Sequence, residues 1–183
     1  MIIGLSGYAQ SGKDSVANLL VKNYGFTRVA FADKIKDILY EMNPIVGFDY
    51  DAGPERLRDI VDSYTWDVAK QYPEVRRLLQ DVGVGARSHL GTSVWIEAAL
   101  ANLIESTNYV FTDVRFPNEA DALKQKNATL VRIERPGVVA VNKHISEHAA
   151  QDINFDYSLV NGGDLETLSV RVKHLFEVVS SAK

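Results

Sequence analysis

The stretch Gly7-Tyr8-Ala9-Gln10-Ser11-Gly12-Lys13 matches the pattern G-x-x-x-x-G-K. It follows a short apolar run, residues 2–6, and it opens residues 13–24, whose apolar positions have helical spacing. In such a turn glycines let the backbone curl, so that successive N–H groups and the positive end of the helix converge on an anion. The stretch therefore predicts a phosphate-binding loop, with Lys13 as a mobile charge for the outer phosphates beside Ala9, Gln10, Ser11 and Gly12.

The residue after this lysine departs from the usual pattern. A serine or threonine normally follows the lysine and contacts magnesium, but here Asp14 follows it and Ser15 comes one position later. Either Ser15 takes over the magnesium contact, or Asp14 contributes through water. Both alternatives stay open at the level of the sequence.

Composition excludes several classes of protein. The chain has 183 residues, of which 46% are apolar and 24% charged, as in an ordinary globular domain with room for a lid. A net charge of −4 argues against non-specific binding to duplex DNA or anionic membranes. The absence of cysteine excludes disulfides, thiol nucleophiles and cysteine-based metal sites. With neither a signal-like start nor a membrane-length apolar run, we expect a soluble cytoplasmic protein.

Short apolar runs alternate with helical patterns along the chain. The runs predict strands at residues 2–6, 27–31, 109–112, 129–134 and 157–160. The helical patterns lie at residues 13–24, 33–42, 55–70, 74–82, 94–105 and 117–126, and a last helix follows a cap at Asp164. Residues 43–54 predict a loop, and Gly83, Gly85 and Gly91 predict a bend. The alternation predicts an α/β fold whose parallel sheet is covered on both faces, with ligands beyond the carboxyl ends of the strands.

Two further clusters follow predicted strands. The turn Asp113-Val114-Arg115-Phe116-Pro117-Asn118-Glu119 places Asp113 where it either caps the next segment or holds magnesium, and Arg115 where a guanidinium can grip a phosphate. Asp33 either caps its helix or accepts a hydrogen bond from an acceptor substrate. Lys34 and Lys36 are either both solvated, or one of them contacts a phosphate.

Basic residues form two more groups. Arg76, Arg77, Gln80 and Arg87 are either a solvated face or an anion site. Arg132 and Arg135 introduce an irregular segment of the length of a lid. His144, Glu147 and His148 in that segment have too few partners for zinc, so His144 is interpreted as a hydrogen-bonding lid residue. Trp66 and Trp95 either stack on a base or belong to the core.

Taken together, these motifs resemble the phage-type deoxynucleoside monophosphate kinases. The resemblance covers nearly the whole chain, and its most specific part is the turn at residues 113–119. The other matching segments are residues 7–15, 31–36, 79–80 with the following glycines, 144–147 and 161–163.

The resemblance implies a fold of the nucleoside monophosphate kinase type, in three layers around a five-stranded parallel sheet. The core would comprise residues 1–43, 92–134 and 153–183. A helical substrate-binding insertion would span about 44–91, and a lid about 135–152. It also implies a phage source and a homodimer. The net charge, as argued above, predicts no partner among nucleic acids or membranes.

The resemblance implies a reaction as well, in which ATP and a deoxynucleoside monophosphate give ADP and the diphosphate with magnesium present. Lys13 would hold the transferring phosphoryl group, and Arg132 and Arg135 would close on the phosphates. Asn161 and Gly162 would lie near the adenine. Candidates around the acceptor are Asp33, Lys34, Trp66, Arg77, Gln80, Arg87 and Arg115. Candidates for the magnesium are Ser15, Asp14 and Asp113.

Other activities share parts of this pattern. A dephospho-CoA kinase or a phosphomevalonate kinase would also have the phosphate loop and an aspartate after the second strand. A nucleotide-dependent switch usually needs an Asn-Lys-x-Asp motif, which Asn142-Lys143-His144-Ile145 lacks. A nucleic-acid kinase is disfavoured by the charge of the chain.

Overall fold

A computed structural model describes residues 1–138 and 149–181 of the chain. Its strands are β1 (Ile2–Ser6), β2 (Thr27–Val29), β3 (Ile45–Asp49), β4 (Gly53–Arg56), β5 (Tyr109–Phe111), β6 (Thr129–Glu134) and β7 (Tyr157–Val160). Its α-helices are α1 (Lys13–Tyr24), α2 (Asp33–Met42), α3 (Leu57–Ser63), α4 (Trp66–Ala69), α5 (Pro73–Leu90), α6 (Val94–Leu100), α7 (Pro117–Lys124) and α8 (Leu165–Ser181). A 3-10 turn spans Ala150–Asp152.

Five strands form the main sheet in the order β2-β5-β1-β6-β7, and neighbouring strands run parallel. This confirms the α/β fold with a five-stranded parallel sheet. The chain separates into two compact units, Met1–Ala30 with Leu100–Lys183, and Phe31–Ala99. The main sheet lies in the first unit and the insertion predicted at 44–91 lies within the second.

Alternation along β1 explains why helices cover both faces of the sheet. Ile3 and Leu5 are fully buried in a core that α1 and α8 share. Between them, Gly4 faces the opposite side, where a Cβ atom would lie 2.8 Å from Leu130 and 3.0 Å from Leu123 of α7. The sheet is therefore packed between α1 and α8 on one face and α7 on the other.

The second unit contains a hairpin where the sequence predicted a loop. Strands β3 and β4 pair antiparallel across residues 43–54, so that prediction was wrong. The Asp49 carboxylate closes the turn by accepting hydrogen bonds from the N–H groups of Asp51 at 2.9 Å and Ala52 at 2.8 Å. These bonds stabilise the ionised form and lower the pKa of Asp49. The aspartate turn thus joins the two strands, and aspartate is a residue type that favours such turns.

The predicted helix boundaries in this unit also need correction. The helix expected at 55–70 is divided into α3 and α4, with Thr65 capping α4 through its side chain. The bend expected at Gly83 and Gly85 is absent, because α5 continues through both glycines to Leu90 and ends at Gly91. Gly83 instead allows close packing, since a Cβ atom there would lie 3.2 Å from Ile35 of α2.

The remaining elements follow the sequence closely. Helix α6 ends at Leu100 instead of 105, and α7 ends at Lys124 instead of 126. The cap predicted before α8 is confirmed, because the Asp164 carboxylate accepts a hydrogen bond from the Thr167 N–H group at 2.9 Å. That bond lowers the pKa of Asp164. Across the described ranges, the helices are too short or too polar to span a membrane.

Two valines of α8 provide a test of this core. Val172 is fully buried, whereas Val170, two residues earlier on the same helix, is 65% exposed. We expect Val172→Ala to lower the free energy of unfolding by about 2 kcal/mol, because it removes buried methyl groups and leaves a cavity. Val170→Ala is the control and should change it by less than about 0.5 kcal/mol in the same urea titration. Equal effects of the two substitutions would contradict the described packing.

Candidate functional site

The loop between β1 and α1 is curled by residues with positive φ angles, namely Gly7 at 142°, Gln10 at 64° and Gly12 at 99°. The Ser11 N–H group closes the curl on the Tyr8 carbonyl at 3.2 Å. A side chain on Gly7 would collide with the carbonyl oxygen of Ile133 in β6, and a positive φ disfavours one in any case. The loop therefore depends on glycine at this position for both conformation and space.

The start of α1 is arranged to receive an anion. Gly12 is the N-cap residue, so no side chain competes for the first N–H groups of the helix. These groups lack intrahelical acceptors and carry the positive end of the helix dipole. Asp14 is exposed and Ser15 half-buried on this first turn, and Ala9 and Gln10 are exposed on the loop before it.

Lys13 and Ser11 complete the loop. The Lys13 ammonium group donates to the carbonyl oxygens of Gly7 and Tyr8, both at 2.8 Å, and thus lies across the curl. The Ser11 side chain is 1% exposed, and its hydroxyl has no hydrogen-bond partner among residues 1–138 and 149–181. Because a buried polar atom without a partner is unfavourable, the hydroxyl suits a phosphate oxygen as its partner. The residues present thus fit a nucleotide phosphate.

A cavity of about 350 Å³ adjoins the loop within the first unit. Four cationic side chains line it, and they are Lys13, Arg115, Arg132 and Arg135. The remaining wall includes apolar groups from Pro136, Val138, Phe155 and Val160. Cations beside the phosphate loop, together with an apolar surface, provide what a polyphosphate with an attached ring requires.

Arg132 is directed by its strand and its neighbours. Within the parallel sheet it is in register with Ser6, the last residue of β1 before the phosphate loop. Its Nε atom lies 3.3 Å from the Glu134 carboxylate, and its guanidinium lies 6.0 Å from the centre of the Phe155 ring. Sequence reasoning found Arg132 but missed Glu134 and Phe155, because no motif marks residues that only flank a cation.

Arg115 projects from the turn after β5. Its side chain is exposed and reaches the cavity, and Asp113 is half-buried two residues earlier. The backbone at this point is joined to β1, because the Val114 N–H group donates to the Leu5 carbonyl at 3.1 Å. The structure therefore brings Arg115 to the same cavity as Lys13 and Arg132.

Asn161 touches the phosphate loop itself. Its side chain is buried, and its amide donates to the Ser11 carbonyl at 2.9 Å, across 150 positions of sequence. A Cβ atom on Gly12 would collide with this amide. The neighbouring Gly162 is exposed, and a Cβ atom added to it would lie 3.2 Å from the Pro136 ring. A contact of Asn161 with adenine stays a prediction, whereas its contact with the loop is a feature of the structure.

The second unit holds the other predicted residues on packed helices. Asp33 begins α2 and pairs with Lys36 at 2.8 Å, while Lys34 pairs with the exposed Asp37 at 3.0 Å. Gly83 of α5 packs against α2. Gln80, three residues before it, and Arg87, four residues after it, lie on the same face of α5. The structure therefore brings Asp33, Gln80 and Arg87 onto two adjoining helices.

Arg77 and Trp66 have local partners. The Arg77 guanidinium binds the carboxylates of Glu74 at 2.6 Å and Asp81 at 2.5 Å on the same helix. The hydrogen bond with Glu74 is the main reason that the pKa of Arg77 is raised, and it lowers the pKa of Glu74. Trp66 is half-buried against the core of the second unit. Trp95 is buried and donates to the Gly83 carbonyl at 3.0 Å. Of the two alternatives given for Trp95, the structure therefore supports a place in the core.

The lid residues His144, Glu147 and His148 lie outside the described residues. Within residues 1–138 and 149–181, no three histidine or acidic side chains are grouped as a metal site would require. A magnesium ion beside a phosphate loop needs fewer protein ligands, because phosphate oxygens and water supply the rest. Ser15, Asp14 and Asp113 therefore stay the predicted ligands.

The parallel sheet, the loop beyond β1 and the cations around the cavity define a phosphate-binding-loop protein of the kinase type. The model of the deoxynucleotide monophosphate kinase family matches residues 48–172, more than half of the chain. The chain belongs to this family and is a nucleotide kinase, which implies ATP as the phosphoryl donor. The match begins beyond residues 7–13, so the family assignment and the phosphate loop rest on different residues.

Similar proteins share the family name. A protein of Acanthamoeba polyphaga mimivirus, provisionally named a deoxynucleotide monophosphate kinase, is 28% identical over 91% of each chain. The deoxynucleotide monophosphate kinase of Enterobacteria phage T4 is 23% identical over 97% of this chain and 99% of its own. Among solved structures, shikimate kinase from Aquifex aeolicus aligns over the whole of both chains with 12% identity and a TM-score of 0.47.

The contact between Asn161 and Ser11 leads to a binding prediction. Asn161→Asp replaces the donating amide by a carboxylate oxygen that faces the Ser11 carbonyl and repels it. We expect the dissociation constant for ATP, measured by titration calorimetry, to rise about tenfold. Asn102→Asp makes the same change of charge at an exposed position and should alter it less than about twofold. Equal weakening by both variants would contradict a role for the contact.

Proposed function

We propose that the protein transfers the terminal phosphoryl group of ATP directly to a deoxynucleoside monophosphate. The observation that supports this most is the grouping of Lys13, Arg115 and Arg132 around one cavity beside the phosphate loop. Phosphoryl transfer needs positioning and charge stabilisation more than covalent chemistry, and these side chains supply both. Family membership supports a deoxynucleotide as the acceptor.

The donor phosphates are proposed to lie on the loop. The N–H groups of residues 12–15 and the Ser11 hydroxyl would bind their oxygens, while Lys13 would exchange its two carbonyl partners for the transferring group. Arg132 and Arg135 would neutralise charge that develops on the phosphates. Asn161 and Gly162 are proposed to border the adenine as well as the loop.

Magnesium is proposed to be held by Ser15, or by Asp14 through water, with Asp113 as a further predicted ligand. When bound, the ion neutralises phosphate charge and orients the terminal phosphate for attack. Ser15 and Asp14 occupy the first turn of α1, directly after the lysine.

The acceptor is proposed to contact Asp33, Lys34, Trp66, Arg77, Gln80, Arg87 and Arg115, with Arg115 binding its phosphate. Arg77 would have to leave Glu74 and Asp81 in order to contact the acceptor. Asp33 would orient the acceptor by a hydrogen bond to its sugar or base.

Transfer is proposed to occur in line, without a covalent phosphoenzyme. Water must be kept from the phosphates, because otherwise ATP is only hydrolysed. Residues from both ends of the predicted lid, at 135–152, line the cavity, among them Arg135, Pro136 and Gln151. This supports a lid that covers the donor phosphates. A cytoplasmic location, a homodimer and an absence of nucleic-acid partners complete the proposal.

An assay of ADP release with Mg-ATP tests the function. The acceptors would be the four common deoxynucleoside monophosphates, their ribose forms and dephospho-CoA. Turnover that depends on a deoxynucleotide is expected. Turnover with dephospho-CoA alone, or ATP hydrolysis that is independent of any acceptor, would overturn the proposal.

Removal of the loop lysine should abolish transfer. Lys13→Ala deletes the charge that holds the transferring group, so kcat should fall on the order of a thousandfold. Lys22→Ala removes an exposed lysine from the same helix and should leave kcat within about twofold. Thermal unfolding of both variants checks that the fold is kept. Activity of Lys13→Ala within about tenfold of the wild type would refute the assignment of the loop.

Arg115→Ala separates acceptor from donor binding. If Arg115 binds the acceptor phosphate, the KM for the deoxynucleotide should rise about tenfold or more, while the KM for ATP changes much less. Lys126→Ala, which removes an exposed cation, is the control for charge. The reverse pattern of KM values would place Arg115 on the donor side.

A further inference from the structure

The turn after β5 is held by a carboxylate to which the sequence assigned no role. Glu119 of α7 is 5% exposed, and its Oε2 atom accepts hydrogen bonds from the N–H groups of Arg115 at 2.8 Å and Phe116 at 3.0 Å. Burial of an ionised group is unfavourable unless it is hydrogen-bonded. Bonds from N–H groups to a carboxylate are stronger than bonds between neutral groups.

Neighbouring contacts fix the rest of this backbone. The preceding N–H group, of Val114, donates to the Leu5 carbonyl of β1 at 3.1 Å. Pro117 follows Phe116 and has neither an N–H group nor a free φ angle. The three consecutive N–H groups from 114 to 116 are therefore bound to β1 or to Glu119, and the Arg115 side chain projects from a fixed backbone into the cavity.

We infer that Glu119 is a positioning residue for phosphoryl transfer, since its buried carboxylate fixes the backbone of Arg115 and so directs the guanidinium toward the phosphates. The inference rests on the proposed function of Arg115. A long arginine side chain loses less freedom on binding when its backbone is already ordered. Loss of Glu119 should therefore weaken the phosphate contact of Arg115 without any change in the arginine itself.

Stabilisation of α7 alone is the simpler reading of the same contacts. A glutamate at the third helical position commonly accepts from the N-cap N–H group, here that of Phe116. The second bond goes one residue further back, to Arg115, which a helix cap does not require.

A double-mutant cycle distinguishes the two readings. The proteins are wild type, Arg115→Ala, Glu119→Ala and the double variant, and kcat/KM for the deoxynucleotide is measured at saturating ATP. We expect Glu119→Ala to lower kcat/KM about tenfold in the wild type, mainly through KM, but less than about twofold when Arg115 is already absent. The same fold loss in both backgrounds would overturn the inference, because stabilisation of the helix does not depend on the arginine side chain.

Conservative variants of Glu119 distinguish the effect of its side-chain length from the effect of its charge. Glu119→Gln keeps an accepting oxygen at the same distance and should stay within about threefold of the wild type. Glu119→Asp keeps the charge but is one methylene shorter, so it should resemble Glu119→Ala. If Glu119→Ala does not fold, the cycle is run with Glu119→Asp. A folded Glu119→Gln as inactive as Glu119→Ala would contradict the inference.

Two controls keep the interpretation clear. Glu166→Ala removes an exposed glutamate from the first turn of α8 and should leave kcat/KM unchanged. Thermal unfolding temperatures show whether any loss follows stability instead. If the wild type releases no ADP when a deoxynucleotide is added, the proposed function is wrong. If the wild type is active but Glu119→Ala lowers kcat/KM equally with and without the Arg115 side chain, only the role of Glu119 is wrong.

Discussion

The structure depends on a tight curl of backbone that must present N–H groups to an anion. The curl is confined from two directions, by the carbonyl of Ile133 against Gly7 and by the amide of Asn161 against Gly12. Ile133 lies in β6 and Asn161 directly follows β7, and the parallel register of these strands with β1 places both beside the loop. The order of the strands is thus a requirement of the phosphate loop as much as of the core, since the loop lies where β1, β6 and β7 end.

The distribution of charged side chains also suits a loop that binds an anion. The chain has a net charge of −4, yet four cationic side chains line one cavity of the first unit. Like charges so close together repel one another, and each needs a partner. Lys13 donates to two loop carbonyls, and the Arg132 guanidinium lies beside the Glu134 carboxylate. On the proposed function, phosphate oxygens would replace these partners, so that binding would require a local rearrangement.

Much of the fold could be predicted, because its signals are local. The apolar runs, the glycines of the loop and the cap at Asp164 act over a few residues, and the structure confirms the strands and helices they mark. The hairpin at β3 and β4 was missed although its signal is local too, since the Asp49 turn and Gly53 lie between short strands and Pro54 was interpreted only as a sign of a loop. The bend predicted at Gly83 is absent because this glycine serves helix packing and not a turn. Packing against Ile35 makes glycine useful inside a continuous helix.

The sequence points to the cationic side chains that line the cavity, but not to the contacts that hold the backbone beneath them. Lys13, Arg115 and Arg132 carry charges whose spacing in the sequence points to phosphate, and they meet at one cavity. Asn161 was expected near the adenine, but its bond to the Ser11 carbonyl was not predicted, and neither were the bonds of Glu119 to the N–H groups of Arg115 and Phe116. A long cation binds a phosphate well only when its own backbone does not move. The residues that hold that backbone therefore belong to the site as much as the cations that line it.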